Sequence, residues 1–434
     1  MRLGGHLSAA IEVIEEVEGR HRPVSEALKD WGNAHRFAGS GDRAAIGNLV
    51  YDLFRKRRSL GYLAGSDRPE AFLSALLIHE WKMAPAKLID TLRDDKFAPD
   101  LPAESELETI SGRNLDDAAL AIQADLPDFL ASDFEDQFGD EWIREGKALA
   151  GRPPLDIRVN SLKASLEKVE KQLARFKAKK SPIARMGLRI QPGTGARRLP
   201  NVQAEEGYRK GLFEVQDEGS QIAADLVFAR PGEQVMDFCA GAGGKTLALA
   251  AAMENKGQIH AYDIDRHRLQ PIYERLKRAG VRNVQVHAPV PDGVPESLSA
   301  LQGRMDRVVV DAPCSGSGTW RRHPEAKWKL NAEAIEKRTS EQADVLEEAA
   351  LYVKPGGYLI YITCSVLATE NEAQLFTFAE TNPDFEIVSL GEVWQDLFGF
   401  DKPQPWSTDL NTITLTPAAT GTDGFFVSVM WRAP

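Results

Sequence analysis

In the stretch SGDRAAIGNLVYDLFRKRRSLGYL (residues 40–63) the apolar positions Ile46, Leu49, Val50, Leu53 and Phe54 recur at i, i+3, i+4, i+7 and i+8. This is one stripe of an amphipathic helix, with Ser40 or Asp42 as its expected cap. The first hundred residues share the pattern and are expected to be helical. After Pro99 the chain reads as an acidic connector with helices of its own. The pattern then changes. LDIRVN (155–160) and GLRIQ (187–191) read as strands. Between them SLEKVEKQLARFKAKK (165–180) reads as a basic amphipathic helix with Leu166, Val169, Leu173 and Phe176 turned inward, and PGTGARRLP (192–200) reads as a loop. From about residue 213 apolar runs alternate with helical stretches: QVMDFC, QIHAYD, NVQVH, DRVVVD and YLIYITC, followed by FEIVSL and FFVSVMW. Such alternation predicts an α/β domain with a doubly wound, mostly parallel sheet. Sheets of this kind bind ligands beyond the C-terminal ends of their strands. DFCAGAGGK, AYDID, VDAPCSGSG and ITCS all fall on that edge. The expected division is 1–145 helical with the acidic connector, 146–212 a small basic α+β unit, and 213–434 the α/β domain.

A length of 434 residues suits two or three domains. No apolar run approaches the roughly 18 residues of a membrane span, and the N-terminus carries acids where a signal peptide would be apolar. A cytoplasmic protein is expected. Net charge is −11, yet it is unevenly spread: Leu101–Gly146 holds 13 acids and 2 bases, whereas Arg158–Lys210 holds 14 bases and 4 acids. An acidic chain with a basic middle can present a phosphate-binding face, although a solvated helix surface explains the same run. The cluster Arg55, Lys56, Arg57, Arg58 likewise reads either as cations favoured at a helix C-terminus or as an RNA contact.

The chain has three cysteines, Cys239, Cys314 and Cys364. An odd number with no close pair argues against a disulfide framework, and no C-x-x-C pair or nearby histidine makes a zinc site. No metal is expected. The loop DFCAGAGGKT ends in Gly244-Lys245-Thr246 like a nucleotide-triphosphate loop, but Cys239 stands where its first glycine should be. The pattern G-x-G-x-x-G also fails, because Thr246 takes the third glycine's place. What remains is a tight turn into a helix, followed about twenty residues later by Asp263 at the end of a second strand. An acid there accepts hydrogen bonds from a ribose diol. Both features suit an adenosine-containing cofactor without separating NAD from S-adenosylmethionine.

VVVDAPCSGSGTWRRHPEAKW narrows the chemistry. Asp311 ends an apolar strand and Cys314 follows at once. Cys364 ends the next strand, so neighbouring strands would bring two thiols and a carboxylate to one pocket. Such a set suits methyl transfer to carbon 5 of a pyrimidine, itself a poor nucleophile. Thiolate attack at carbon 6 makes carbon 5 electron-rich, an acid near N3 stabilises charge on the ring, and a base later removes the carbon-5 proton.

DAPCSGSG with RRHP, and TCSVLATENE, carry a resemblance. The region from about residue 145 to 434 resembles the RsmB/Sun/Fmu (NSUN-type) RNA (cytosine-5) methyltransferase family, and RVNSLK (158–163), VQDEGSQ (215–221) and DGFFVSV (423–429) agree with it. The N-terminal region resembles the NusB-like RNA-binding domain of the bacterial 16S rRNA branch. The resemblance implies a Rossmann-like class I S-adenosylmethionine methyltransferase sheet, an N-terminal all-α NusB-like domain, and a small α+β unit between them. It implies S-adenosyl-L-methionine as cofactor, held by Cys239, Ala240, Gly241, Ala242, Gly243, Gly244, Lys245 and Asp263, with Asp311 near cofactor and cytosine. It implies Cys364 as nucleophile and Cys314 as the thiol that assists release. The residues alone leave that order open, because DNA cytosine-5 enzymes attack with a Pro-Cys thiol. Two departures stand out. The family loop usually reads CAAPGGK where this chain has CAGAGGK, and Pro289 occupies the place of an adenine-side Asp, for which Asp292 is a candidate substitute. The expected partner is RNA, most of all small-subunit rRNA, with the protein acting as a monomer. The rival expectation is an RNA-binding or ribosome-assembly protein that keeps the fold with little or no activity.

Overall fold

The computed structural model describes residues 1–291, 294–407 and 411–434, which condense into two compact units. The first comprises Met1–Pro153, Pro192–Leu199 and Thr319–Leu330, and it is helical. The predicted stripe holds: Ile46, Leu49, Val50, Leu53 and Phe54 are all buried on the helix Ser40–Arg55. Neither Ser40 nor Asp42 is its N-cap; Gly39 is, and Asp42 accepts the Gly39 N–H at 3.0 Å. Leu7, Ala10, Ile14 and Val17 of Leu3–Arg20 meet that stripe in one core, which also takes Leu107 and Ile110 from the acidic stretch. Two distant segments complete the unit. Gly195 and Arg197 accept from Asn48 at 3.0 and 3.1 Å, and Trp320 and Lys327 are wholly buried, Trp320 stacked on Phe134.

The basic cluster makes ion pairs inside this unit. Arg55 is buried and donates to Asp52 at 2.9 Å and to the Arg321 carbonyl at 2.7 Å. Lys56 pairs with Glu80, Arg57 with Glu18 and Arg58 with Asp128. Each of the four cations has an acidic partner within the unit.

The second unit comprises Pro154–Gln191, Pro200–Gly318 and Asn331–Pro434. Its smaller sheet has strands β1 (Leu155–Val159), β2 (Lys179–Lys180), β3 (Gly187–Ile190) and β4 (Phe213–Val215) in the order β2-β3-β1-β4, all antiparallel. The helix expected over 165–180 ends early. It spans Leu166–Leu173, passes through a short tight turn, and breaks at Lys177, whose φ of 59° is left-handed; Lys179 and Lys180 then join the sheet edge as β2. The RVNSLK segment is structural: Asn160 donates to the Gly211 and Ala279 carbonyls, and Lys163 to those of Lys210 and Arg278.

The larger sheet contains β5 (Gln234–Asp237), β6 (Gln258–Tyr262), β7 (Val284–His287), β8 (Met305–Asp311), β9 (Val353–Thr363), β10 (Phe385–Ile387), β11 (Ile413–Leu415) and β12 (Phe425–Arg432). Its order is β10-β12-β9-β8-β5-β6-β7, with β11 also paired to β12. The five strands β7-β6-β5-β8-β9 are parallel and β12 is antiparallel to β9. This is the class I methyltransferase sheet. Both faces are covered, so the strands read as unbroken apolar runs. Val235, Val309, Ile360 and Ile362 face one core and Met236, Val308, Val310, Leu359 and Tyr361 the other. Full burial of such side chains contributes about 1.5–3 kcal/mol each. From β5 the chain moves outward through β6 and β7, then returns to the other side of β5 as β8. That reversal opens a crevice beyond the ends of β5 and β8. Among the described residues no helix is long and apolar enough to cross a membrane.

Candidate active site

The glycine-rich loop closes over the end of β5. Gly241 and Gly243 have φ of 50° and 81°, a region that favours glycine, and a Cβ on Gly243 would lie 2.5 Å from Ile272. The Ala240 N–H donates to Tyr262 at the end of β6, Gly243 donates back to Ala240, and the Ala242 carbonyl accepts from Arg275 at 2.8 Å. Gly244 starts the helix Gly244–Ala252, which leaves its first backbone N–H groups facing the crevice. Asp263 is buried, with one carboxylate oxygen on the Gly241 N–H and the other on the Asp265 N–H, each at 2.8 Å. Each oxygen keeps a lone pair for a further donor. Asp292 lies outside the described residues.

Lys245 and Asp311 meet across the crevice. The Lys245 Nζ lies 2.7 Å from Asp311 Oδ2, and the buried Lys245 also sits over the Phe425 ring of DGFFVSV. The glycine-rich loop and the acid at the end of β8 are thus joined by an ion pair. Beneath them Asp237 is buried, accepting the Thr246 hydroxyl at 2.6 Å on Oδ2, while its Oδ1 has no partner. Burial raises its carboxyl to about 7. Burial and the surrounding carboxylates push the Cys239 thiol well up, which disfavours its thiolate.

The other two thiols touch. Cys314 Sγ and Cys364 Sγ are 3.3 Å apart, and both cysteines are free. The Cys314 thiol is raised well above its ordinary value, first by its hydrogen bond to Cys364, then by burial and by the negative charges of Cys364 and Glu370. The raised thiol and its neighbour share one hydrogen bond, in which either sulfur can be the donor.

Close backbone packing fixes the loops around the pair. Gly318 donates to the Cys364 carbonyl and accepts from Gly424; a Cβ on Gly318 would lie 2.3 Å from the Gly424 oxygen. The Asp217 carboxylate accepts the N–H groups of Gly219 and Asp423, which joins VQDEGSQ to DGFFVSV. Side chains add Ser315, Ser317, Ser365, Glu370 and Asn371. Glu370 takes hydrogen bonds from Ser315 and Ser365, and Asn371 from Thr363. Sequence reasoning placed all three thiols at strand ends but gave no role to Asp237 or Glu370. Both stood inside the quoted motifs, and only their burial distinguishes them from surface acids.

The sheet, its crevice, the glycine loop and the thiol pair define a methyltransferase-fold protein. The family model described as 16S rRNA methyltransferase RsmB/F matches residues 225–431, and the RsmF/B-like ferredoxin-like domain matches residues 126–195. A probable ribosomal RNA small subunit methyltransferase B of Bacillus subtilis is 30% identical over 315 residues, 72% of this chain and 67% of that one. The probable methyltransferase B of Synechocystis is 31% identical over 331 residues, covering 74% and 71%. One solved structure aligns over 99% of both chains at a TM-score of 0.73 and 24% identity, which supports the fold. The chain belongs to the RsmB/F family of small-subunit rRNA methyltransferases.

Proposed function

We propose that this protein transfers a methyl group from S-adenosylmethionine to carbon 5 of a cytosine in RNA, small-subunit rRNA above all, through a covalent adduct between Cys364 and carbon 6. The 3.3 Å contact of the two thiols, beside the Lys245–Asp311 ion pair, carries this reading. The names of the relatives, ribosomal RNA small subunit methyltransferase B, support the RNA substrate. The helical unit serves as the NusB-like RNA-binding part of the enzyme.

The crevice fits the cofactor. Asp263 would take the ribose hydroxyls, the loop 239–244 would lie against the adenosine, and the unpartnered Asp237 Oδ1 would take the ammonium. When bound, the cofactor supplies an electrophilic methyl group. The chain's own residues do the rest. The Cys364 thiolate forms a bond to carbon 6, and the electrons of the 5,6 double bond move to carbon 5, with the Lys245–Asp311 pair stabilising the ring. After methylation carbon 5 loses its proton to a base, the S–C6 bond breaks, and the double bond returns. Cys364 departs as the thiolate that began the cycle, and Cys314, in contact with that sulfur, is placed to assist its release.

Cysteine variants test this order. After incubation with RNA and S-adenosylmethionine, Cys314→Ala should give a slow-migrating protein–RNA band on a denaturing gel. Cys364→Ala and the double variant should give none. A band from Cys364→Ala that disappears in Cys314→Ala would reverse the assignment. Methylation with no band from either would defeat the covalent route, and absence of methylation by the intact protein would favour an assembly role.

A further inference from the structure

The two thiols sit on loops fifty residues apart, already linked by Gly318 and Ser317 to the Cys364 and Val366 backbone. Cys314 and Cys364 follow the ends of the parallel neighbours β8 and β9, where Asp311 pairs in register with Ile362. Sheet pairing brings the loops side by side at strand spacing, about 4.8 Å, but does not direct the side chains. The residue after each thiol is a serine, and both serines point at one carboxylate. Glu370 is wholly buried. Its Oε1 accepts the Ser315 N–H at 2.7 Å and the Gln342 amide at 3.2 Å. Its Oε2 accepts the Ser315 and Ser365 hydroxyls, both at 2.5 Å. Backbone donors also reach these hydroxyls, and Ser365 Oγ lies 2.9 Å from Ser317 Oγ. Ser315 Oγ accepts from the Ser317 N–H and Ser365 Oγ from the Leu367 N–H. Gln342 also binds the Pro313 carbonyl, so the residues on both sides of Cys314 are held from one point.

We propose that Glu370 is a positioning residue that holds the two thiols together, pinning Ser315 and Ser365 and hence the cysteines before them while touching neither sulfur. The inference rests on the two-thiol reaction above for its functional meaning, and on the hydrogen bonds for its geometry. The buried charge has a second effect, because it is among the groups that keep Cys314 protonated. The groups that face Cys314 are Cys364 and Glu370, and the nearby Tyr361 hydroxyl donates to the Glu370 backbone carbonyl. A carboxylate that aligned the thiols without this charge would do only half the work.

The test uses the full chain without RNA or cofactor. Dibromobimane bridges thiols that lie within a few ångströms and becomes fluorescent when it does. Glu370→Gln should slow bridging of Cys314 and Cys364 by about 10- to 100-fold, the scale of a displacement near 1 Å. The same variant should shift the pH midpoint for alkylation of Cys314 downward, which loss of packing alone would not do. Glu370→Asp, which keeps the charge at shorter reach, should recover the pH midpoint but not the full bridging rate. In turnover, Glu370→Gln should lower kcat by a similar factor with KM for S-adenosylmethionine unchanged. If Glu370→Gln does not fold, Ser315→Ala with Ser365→Ala removes the same two hydroxyl bonds and should slow bridging likewise. A folded variant that bridges at the parent rate with an unshifted midpoint overturns the tether. A parent protein that bridges rapidly but methylates no RNA supports the tether and overturns the two-thiol reaction.

Discussion

Removing the charge from Asp237 should uncouple cofactor affinity from pH. Asp237 is wholly buried and its carboxyl rises from 3.8 to about 7, chiefly through burial, partly offset by the Thr246 hydrogen bond. Asp311, Asp263, Lys245 and Cys239 are the ionisable groups around it. A raised acid binds its proton more tightly in the folded state. Stability therefore falls as pH rises from about 4 to 7, where only the unfolded chain has released the proton. The span of about 3 units corresponds to about 4 kcal/mol, an upper figure for a group beside other charges. A cation at the free Oδ1 reverses that loss by favouring the ionised form. If only ionised Asp237 binds the ammonium, affinity for S-adenosylmethionine scales with the ionised fraction, and should rise about 25-fold between pH 5.5 and 7.5. Calorimetry in buffers of different ionisation enthalpy should also show close to one proton released at pH 5.5. Asp237→Asn keeps the bond to Thr246 but should bind weakly with a flat profile and no proton release. A flat profile in the parent, or the same slope in Asp237→Asn, would refute the reasoning.

Three further expectations concern charge elsewhere. Burial lowers the wholly buried Lys327 to about 8 and raises Asp125, and the opposite charge of each partly offsets the cost of burying the other. Lys327→Met should destabilise the protein by about 3–5 kcal/mol by stranding Asp125, and Lys327→Met with Asp125→Asn should recover most of it in urea unfolding; no recovery would show that the pair is not what the site requires. Lys327 also predicts that stability rises with pH between about 8 and 10.5, where the folded state has already released the proton that the unfolded chain keeps. On the other unit, charge reversal at the exposed Lys177, Lys179 and Lys180 should weaken RNA binding and flatten its salt dependence. An unchanged salt slope in fluorescence anisotropy would remove that face from the RNA path.

Much of the fold was legible because local pattern and burial agree. The stripe from Ile46 to Phe54 faces a core, and the apolar runs ending at Asp237, Tyr262 and Asp311 are strands buried on both faces. The helix over 165–180 was overread because Val169, Leu173 and Phe176 keep helical spacing through the turn that breaks it. Lys177 in a left-handed conformation is a single backbone choice with no periodic signature. Nor does local pattern reveal which core a segment joins. Residues 319–330 follow the Pro-Cys loop in sequence, yet Trp320 and Lys327 are buried in the helical unit. Among site residues, thiols announced themselves by rarity, whereas Asp237 and Glu370 are ordinary acids made unusual by what surrounds them.

The basic segment shows why counting charges overstates a binding face. In β1 the sequence alternates Asp156, Ile157, Arg158, Val159, and alternation of this kind ordinarily places the charged face in water. Here both faces are buried. Asp156 lies in register with Arg189 of β3 and receives two hydrogen bonds from it, at 2.6 and 2.8 Å. Arg158 lies opposite Glu214 of β4 and donates to Gln216. Glu214 in turn pairs with Arg275 and Arg278. Cross-strand pairs of opposite charge stabilise a sheet when directly opposed, and these arginines are committed to that work. Of the 14 bases counted between Arg158 and Lys210, those exposed on this unit and outside these cross-strand pairs include Lys168, Lys171, Lys177, Lys179, Arg185 and Arg209. A phosphate-binding face built from them is smaller than composition implies. Its salt slope should therefore correspond to a few phosphate contacts rather than to the net charge of the segment.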